Sequence, residues 1–302
     1  MKNIAVYFSS ADPMGHPLST PDYWTSYTEL TDAINKHGGQ LYIVRTQSSY
    51  LGNGVFSNSW IIEGQQLKQT GQVTVDVVLN KGRFQSDNTV PVFNCSQVTE
   101  ICLDKWKMYT ELKELCPLSF FVEKQEDLLS AIEKVTTSRV VFKPVKGGEG
   151  VGVKIEERDY FVAHLSELQY PGVVSNFLDT SGGVPGIVDG LHDLRVALFD
   201  GEILYSYYRT PPTNSFLANV SKGGKFEMIP LWKLPNEIVA VAKEIDATLS
   251  DCKHRFYSID FGYTSDGPKI IEMNSELGLL PNKDDAVFIT LKEKLAAALM
   301  DM

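Results

Sequence analysis

The stretch FYSIDFGYTSDGPKIIEMN, residues 256–274, constrains the fold more than any other part of the chain. Two apolar runs flank Ser265-Asp266-Gly267, a turn sequence in which glycine can take the left-handed backbone that closes a hairpin. A three-residue loop with Gly267 in that conformation pairs Thr264 with Pro268 and sets Asp260 opposite Glu272. Ile259 then faces Met273, and Phe261 faces Ile271. Because side chains alternate along a strand, one register yields an apolar face and a polar face together. The polar face carries Asp260, Glu272 and Asn274. These are hard oxygen donors of the type Mg²⁺ takes, or else a solvated strand surface.

The rest of the chain alternates strand-like and helix-like patterns. Residues 3–8 are an apolar run of the kind buried in a parallel sheet. Residues 23–37 have helical composition and stop at Gly38-Gly39, and residues 41–44 form a second strand. This βαβ opening predicts an open α/β sheet. Further strands are expected at 55–62, 73–79 and 90–94. A helix at 103–115, a strand at 118–122, a helix at 125–136 and a strand at 139–144 follow. Another strand, at 151–155, lies beyond a glycine-rich segment. After Pro171-Gly172 come short strands at 173–178, 194–199, 203–209 and 226–229, and an amphipathic helix at 236–249 precedes the hairpin. The expected division is an N-terminal substrate-side α/β domain at 1–98, a central domain at 99–175 and a C-terminal antiparallel-sheet domain at 176–302.

Composition removes some functions. With 28 Lys+Arg against 38 Asp+Glu the net charge is −10, and no Lys/Arg run is present, which excludes a non-specific nucleic-acid binder. No window reaches membrane-spanning length, and MKNIAVYFSS lacks the apolar stretch and cleavage site of a secretory signal. The chain is therefore expected in the cytoplasm, with no membrane partner. Cys95, Cys102, Cys116 and Cys252 show no CxxC or Cys/His metal spacing and are expected as buried free thiols.

VVFKPVKGGEGVGV, residues 140–153, puts Lys143 at the end of an apolar strand beside a flexible backbone with free N–H groups. That combination suits phosphate oxygens. It fits a plain β-hairpin with a glycine turn equally well. It is not a P-loop, because no GK[ST] follows, and its glycine spacing is not the dinucleotide fingerprint. Asp260-Phe261-Gly262, Phe142-Lys143 and HDLR at 192–195 echo protein-kinase motifs. In kinases the glycine loop precedes the lysine, whereas here it follows Lys143, so that reading fails. His16 and His192 read as turn or surface residues.

Taken in order, six pieces resemble the ATP-grasp superfamily: LDKWKMYTEL (103–112), VVFKPVKGGEGVGV (140–153), VVSNFLD (173–179), HDLRVALFDGEIL (192–204), Arg209 to Gly223-Gly224, and SIDF with GPKIIEMN (258–274). Within it they resemble the glutathione-synthetase and ribosomal-protein glutamate-ligase (RimK-like) group of carboxylate–amine ligases. The resemblance runs from about residue 94 to 279. It implies an α/β ATP-grasp fold behind an N-terminal open α/β domain, with ATP between the central and C-terminal domains.

Position by position, the resemblance implies that Lys105 and Lys143 contact the nucleotide. Gly147, Gly148, Glu149, Gly150, Val151 and Gly152 match a mobile loop that closes over the phosphates. Asn176, Phe177 and Leu178 match the linker whose backbone reads adenine, with Asn176 standing where Gln or Glu is commoner, and Asp179 matches a ribose contact. Arg195 and Arg209 match clamps on phosphate and acyl phosphate, and Asn219 a neighbour of the active site. Asp260, Glu272 and Asn274 match the metal ligands, for Mg²⁺ with Mn²⁺ as a substitute. The implied reaction transfers the γ-phosphoryl group of ATP to a carboxylate, and an amine then attacks the acyl phosphate. The partners are a small-molecule or peptide carboxylate and an amine such as an amino acid, and family analogy adds a homodimer. Two other classes stay open, an ATP-grasp phosphotransferase and a nucleotide-binding protein without catalysis. Intact Asp260, Glu272 and Asn274 weigh against the last. Loops 9–22 and 210–218 are expected to shape the choice of acid and amine.

Overall fold

The structure, a computed structural model, describes residues 1–148, 150–163, 168–279 and 286–302. Contacts group them into two units, Met1–Cys95 with Glu276–Met302, and Ser96–Ser275.

In the first unit β1 (Lys2–Phe8) is buried from Ile4 onward, which suits a central parallel strand covered on both faces. Pro21 opens α1 (Pro21–Lys36), where its fixed φ helps and its missing N–H costs nothing. β2 (Gly39–Arg45) returns parallel to β1. Two expected strands are each divided. The run 55–62 splits into β4 (Val55–Phe56) and β5 (Trp60–Glu63), because the Ser59 hydroxyl lies 2.8 Å from Thr70 Oγ1 and donates to Gly71 O at 2.7 Å, turning the chain. The run 73–79 splits into β7 (Val73–Thr74) and β8 (Val77–Asn80) at Asp76. There the Asp76 N–H donates to Asn3 O, and its carboxylate accepts Asn3 N–H at 2.7 Å.

β3 (Tyr50–Gly52), β4 and β7 make a small sheet, while β6 (Gln66–Gln69) and β9 (Val92–Phe93) complete the main one in the order β6-β5-β2-β1-β8-β9. The helix α7 (Ala286–Asp301) belongs with this unit, and Lys292 Nζ lies 2.6 Å from Glu29 Oε2 on α1. Residues 276–302 thus group with the N-terminal segment and not with the strands before them.

In the second unit the helix expected at 103–115 is shorter, starting after Asp104, whose carboxylate accepts Lys107 N–H at 2.9 Å and caps it, and a separate helix that was not expected precedes it. α2 (Ser96–Leu103) ends there and α3 (Lys105–Glu111) begins. β10 (Ser119–Val122), β11 (Arg139–Pro144), β12 (Lys154–Glu157) and β13 (Gly172–Asn176) form an antiparallel sheet in the order β10-β13-β11-β12. α4 (Gln125–Lys134) packs Leu128, Ala131 and Ile132 into a core with Phe142 and Val174 of that sheet, and α5 (Arg158–Ala163) follows β12. β12 starts three residues later than the expected 151. A second antiparallel sheet, in the order β16-β15-β14-β17-β18, comprises β14 (Asp193–Phe199), β15 (Glu202–Thr210), β16 (Lys225–Ile229), β17 (Phe256–Thr264) and β18 (Gly267–Asn274). α6 (Asn236–Thr248) precedes its last hairpin.

That hairpin is tighter than expected. Thr264 pairs with Gly267 and Tyr263 with Pro268, so the loop is Ser265-Asp266 with Gly267 at φ +93°. Phe261 accordingly faces Ile270, not Ile271. A bulge between Asp260 and Phe261 then restores the pairing of Asp260 with Glu272 and of Ile259 with Met273. The shorter turn and the extra residue in β18 cancel, and the acidic pair survives.

Cys102 and Cys116 are buried thiols. Cys95 and Cys252 are disulfide-bonded, against the expectation of four free thiols. Among the described residues no helix is long and apolar enough to cross a membrane.

Candidate active site

The second unit holds a cavity, open to solvent and lined from both of its sheets. β11 delivers Lys143, whose ammonium donates to Ile271 O at 3.0 Å and to Tyr109 Oη at 3.3 Å. Burial pushes this lysine below its ordinary pKa, and the nearby Glu272 charge opposes that shift. Lys105 opens α3 and is 5% exposed, and its Nζ donates to Gly147 O at 2.7 Å and lies 3.7 Å from Glu272 Oε1.

The glycine-rich segment is the connection of the β11–β12 hairpin. Gly150 and Gly152 stand at φ +70° and +72°, where a side chain is disfavoured. Gly147, Gly148, Gly150 and Val151 line the cavity. Gly152 packs against Pro144 instead, and Glu149 lies outside the described residues. A Cβ on Gly150 would come within 3.0 Å of Asn219 Oδ1, so the loop closely approaches the segment carrying Asn219, itself a lining residue.

Asn176, Phe177 and Leu178 line the cavity too, but much of their hydrogen-bonding capacity is spent internally. The Asn176 amide is tied to Thr136 by two bonds of 3.0 and 2.8 Å. Its N–H donates to Leu118 O, and the Phe177 N–H donates to Thr137 Oγ1 at 3.1 Å. Asp179 is exposed, accepts the Ser181 N–H at 2.9 Å, and is absent from the lining. The Ser181 hydrogen bonds hold its carboxyl below the usual range.

The charged groups form a register row across the second sheet. Tyr207, Arg195, Asp260 and Glu272 face one another in turn on β15, β14, β17 and β18. Arg195 meets Asp260 at both oxygens, 2.6 Å each, and Arg209 Nη2 reaches Asp260 Oδ2 at 2.7 Å. Burial works against ionisation of Asp260, yet the two guanidiniums hold its pKa below the ordinary value. Arg209 Nε also donates to Asp193 Oδ1 at 2.6 Å. Arg209, Asp260 and Glu272 line the cavity, whereas Arg195 and Asn274 do not. The Asn274 amide lies 3.5 Å from Asp260 Oδ2.

Sequence reasoning missed Asp193 and Thr180, which line the cavity, and mistook His192 for a turn or surface residue when it is 4% exposed and lines it as well. The signal for Asp193 was present: it stands two residues before Arg195, hence on the same strand face.

Solved structures of similar fold are ATP-grasp-type ligases. A D-alanine–D-alanine ligase of Bacillus anthracis, complexed with ATP, matches over 100% of this chain and 97% of its own, with a TM-score of 0.62 and 16% identity. A D-cycloserine synthetase matches over 99% of both chains, with a TM-score of 0.65 and 11% identity. The fold is therefore the ATP-grasp fold. A probable alpha-L-glutamate ligase of Rhodopirellula baltica is 26% identical over 189 residues, 61% of this chain and 42% of that protein. Another, from Trichodesmium erythraeum, is 23% identical over 279 residues, 87% of this chain and 88% of that protein. The chain spans about half the length of the first curated relatives it matches. The family model of the RimK-like ATP-grasp domain matches residues 104–299, and the chain belongs to that family.

Proposed function

We propose that this chain is an ATP-dependent ligase that joins a carboxylate to an amine through an acyl phosphate, using ATP with Mg²⁺ or Mn²⁺. The observation that carries this reading is the convergence of Lys105, Lys143 and the glycine hairpin with Arg209, Asp260 and Glu272 on one cavity. Phosphoryl transfer needs positioning and charge neutralisation more than covalent help from protein, and these groups supply both.

In this reading Lys143 and Lys105 exchange the carbonyls of Ile271 and Gly147 for phosphate oxygens. Both ammonium groups are already desolvated, so the charge-assisted bonds they make are strong. The N–H groups of Asn176 and Phe177 are engaged, which leaves the base to be read at Leu178 and at linker carbonyls. A carboxylate oxygen of the acid attacks the γ-phosphorus, the bond to the bridging oxygen breaks, and ADP leaves. The amine nitrogen then attacks the acyl carbon, phosphate departs with the carbon–oxygen bond pair, and the amine loses a proton. Arg209, aimed by Asp193, spreads charge on the transferring group. The glycine hairpin closes over the phosphates and keeps water from the acyl phosphate, and Asn219 steadies it.

The donor set fits a divalent hard cation. Asp260 and Glu272 are register partners on the cavity wall, and Asn274 follows on the same strand face. Among the described residues no cluster of three His, Cys, Asp or Glu forms, and phosphate oxygens would complete the coordination of an ion held there. Bound there, the ion neutralises phosphate charge.

The two sheets of the second unit correspond, on this reading, to the lobes expected on either side of residue 175. The partners are a small-molecule or peptide carboxylate and an amino-acid amine, without nucleic acid or membrane. A homodimer and a cytoplasmic location belong to the same reading.

The test is ADP release with ATP, Mg²⁺ and a panel of acids and amino acids, with mass spectrometry of the products. Ligation gives ADP, phosphate and an amide. A phosphorylated product would assign a phosphotransferase, and ATP binding without ADP release under any pairing would overturn catalysis.

A further inference from the structure

His192 has an environment that the ligase reading leaves unexplained. It is 4% exposed, yet it lines the cavity. Its Nδ1 lies 2.9 Å from Gly190 O. A carbonyl only accepts, so in the neutral ring Nδ1 carries the proton and Nε2 is a bare lone pair. Among the described residues the buried Nε2 has no hydrogen-bond partner. Buried polar atoms are nearly always satisfied, and this orphan belongs to a residue that lines the cavity, where a ligand's donor can supply the missing bond.

The residue is held in place by its neighbours. Thr180 Oγ1 accepts the His192 N–H at 3.0 Å and donates to His192 O at 2.9 Å. Thr180 itself follows directly on the linker and Asp179. Burial also depresses the histidine's pKa, which keeps the ring neutral and the lone pair available.

A neutral acceptor selects by what it excludes. Phosphate and carboxylate oxygens are acceptors themselves, so neither can satisfy Nε2. The donors on ATP are its exocyclic amine and its two ribose hydroxyls. His192 is tied through Thr180 to the end of the linker assigned to the base, and it precedes Asp193, which holds Arg209 at the end assigned to the phosphates. Bonded to a neighbour of one end and adjacent in sequence to a residue at the other, it fits the stretch of the site between base and phosphates, which is the sugar's. Asp179, the expected ribose contact, is exposed and off the cavity wall. We propose that His192 Nε2 accepts a hydrogen bond from a ribose hydroxyl and makes the site selective for ribonucleotides. This rests on the ATP reading above.

Calorimetry with ATP, 2′-deoxy-ATP, 3′-deoxy-ATP and N6-methyl-ATP in Mg²⁺ tests it, using the wild-type chain, His192→Phe and His192→Gln. The wild type should bind one deoxynucleotide about two- to tenfold more weakly than ATP, the net worth of one hydrogen bond. His192→Phe should bind ATP as weakly as that analogue. His192→Gln, whose Oε1 can stand near the place of Nε2, should recover part of the preference. Equal wild-type affinity for ATP and both deoxynucleotides would overturn the assignment, as would an equal loss for every nucleotide in His192→Phe. A His192→Phe effect confined to the contrast between ATP and N6-methyl-ATP would move the contact to the base and overturn it too. If ATP does not bind at all, the ligase reading itself fails, whereas ATP binding without ribose preference sinks only this inference. Should His192→Phe not fold, ¹⁵N-histidine NMR of the wild type decides. The Nε2 resonance of His192 should move upfield with ATP and not with the discriminated analogue, and an unmoved resonance would reject the contact.

Discussion

Arg195 grips Asp260 through both carboxylate oxygens, Nε to Oδ1 and Nη2 to Oδ2, each at 2.6 Å, directly across the β14–β17 register. Arg209 adds a third bond to Oδ2 at 2.7 Å. Asp260 is therefore the counter-ion of two guanidiniums before it is anything else, and a metal ion would have to share it with them. Glu272, its partner on the next strand, is held more loosely, 3.7 Å from Lys105. Two members of one proposed ligand set thus have different structural duties, and mutation should separate them.

Asp260→Asn should destabilise the chain by about 3–5 kcal/mol, because it strands buried guanidiniums without their carboxylate. Urea denaturation measures this, and an unchanged midpoint would contradict the network. Glu272→Gln should leave the midpoint close to wild type and abolish ADP release. Turnover near wild type in that variant would remove Glu272 from the metal assignment.

Lys143→Ala should weaken ATP binding by about 1–3 kcal/mol, the scale of a charge-assisted hydrogen bond. The ammonium now rests on Ile271 O and Tyr109 Oη, both neutral partners that a phosphate readily replaces. Calorimetry with ATP and Mg²⁺ reads the loss, and unchanged affinity would contradict the role.

Legibility followed the range of the forces involved. The Asp260–Glu272 pair was readable because an alternating pattern and a glycine turn are local, and a one-residue error in the turn was offset by a bulge at Ile271 that alternation cannot reveal. The helix at 96–103 was missed and the next one was begun two residues early, because only the side-chain bond of Asp104 to Lys107 N–H marks where one helix ends and the other starts. The grouping of residues 286–301 with α1 depends on which distant surface an apolar helix meets, and its own sequence does not encode that. His192 and Asp193 were overlooked because their meaning lies in partners far along the chain, Thr180 and Arg209.

Lys81 should give the first unit a distinctive pH dependence. Burial lowers its pKa to about 8, against the pull of Glu276, while its Nζ donates to Leu277 O at 2.9 Å. Between about 8 and the ordinary 10.5 the unfolded chain holds a proton that the folded chain has released. Stability must then rise with pH across that window. Urea midpoints measured on either side of it should increase for the wild type, and Lys81→Met should flatten the rise. An identical slope in the variant would mean that this lysine is not desolvated.

The final prediction concerns Gly150. Its φ of +70° lies in the left-handed region, and a Cβ there would meet Asn219 Oδ1 at 3.0 Å. The left-handed conformation costs an L-residue roughly 1–2 kcal/mol, and a β-branched side chain adds crowding. Gly150→Val should therefore disfavour the arrangement of the hairpin beside Asn219. Val151 is 56% exposed, and the turn is held by the Val151 N–H to Gly148 O at 3.1 Å and the Val153 N–H to Gly150 O at 3.4 Å, bonds that can open without unfolding a core. If closure over the phosphates protects the acyl phosphate, the variant should turn over more slowly and release more ADP per amide formed. Hydrogen exchange supplies the independent check. Residues 150–153 should exchange rapidly without nucleotide and become protected with a non-hydrolysable ATP analogue and Mg²⁺. Equal protection in both states, together with wild-type coupling in Gly150→Val, would make the hairpin a fixed turn that does no more than join β11 to β12.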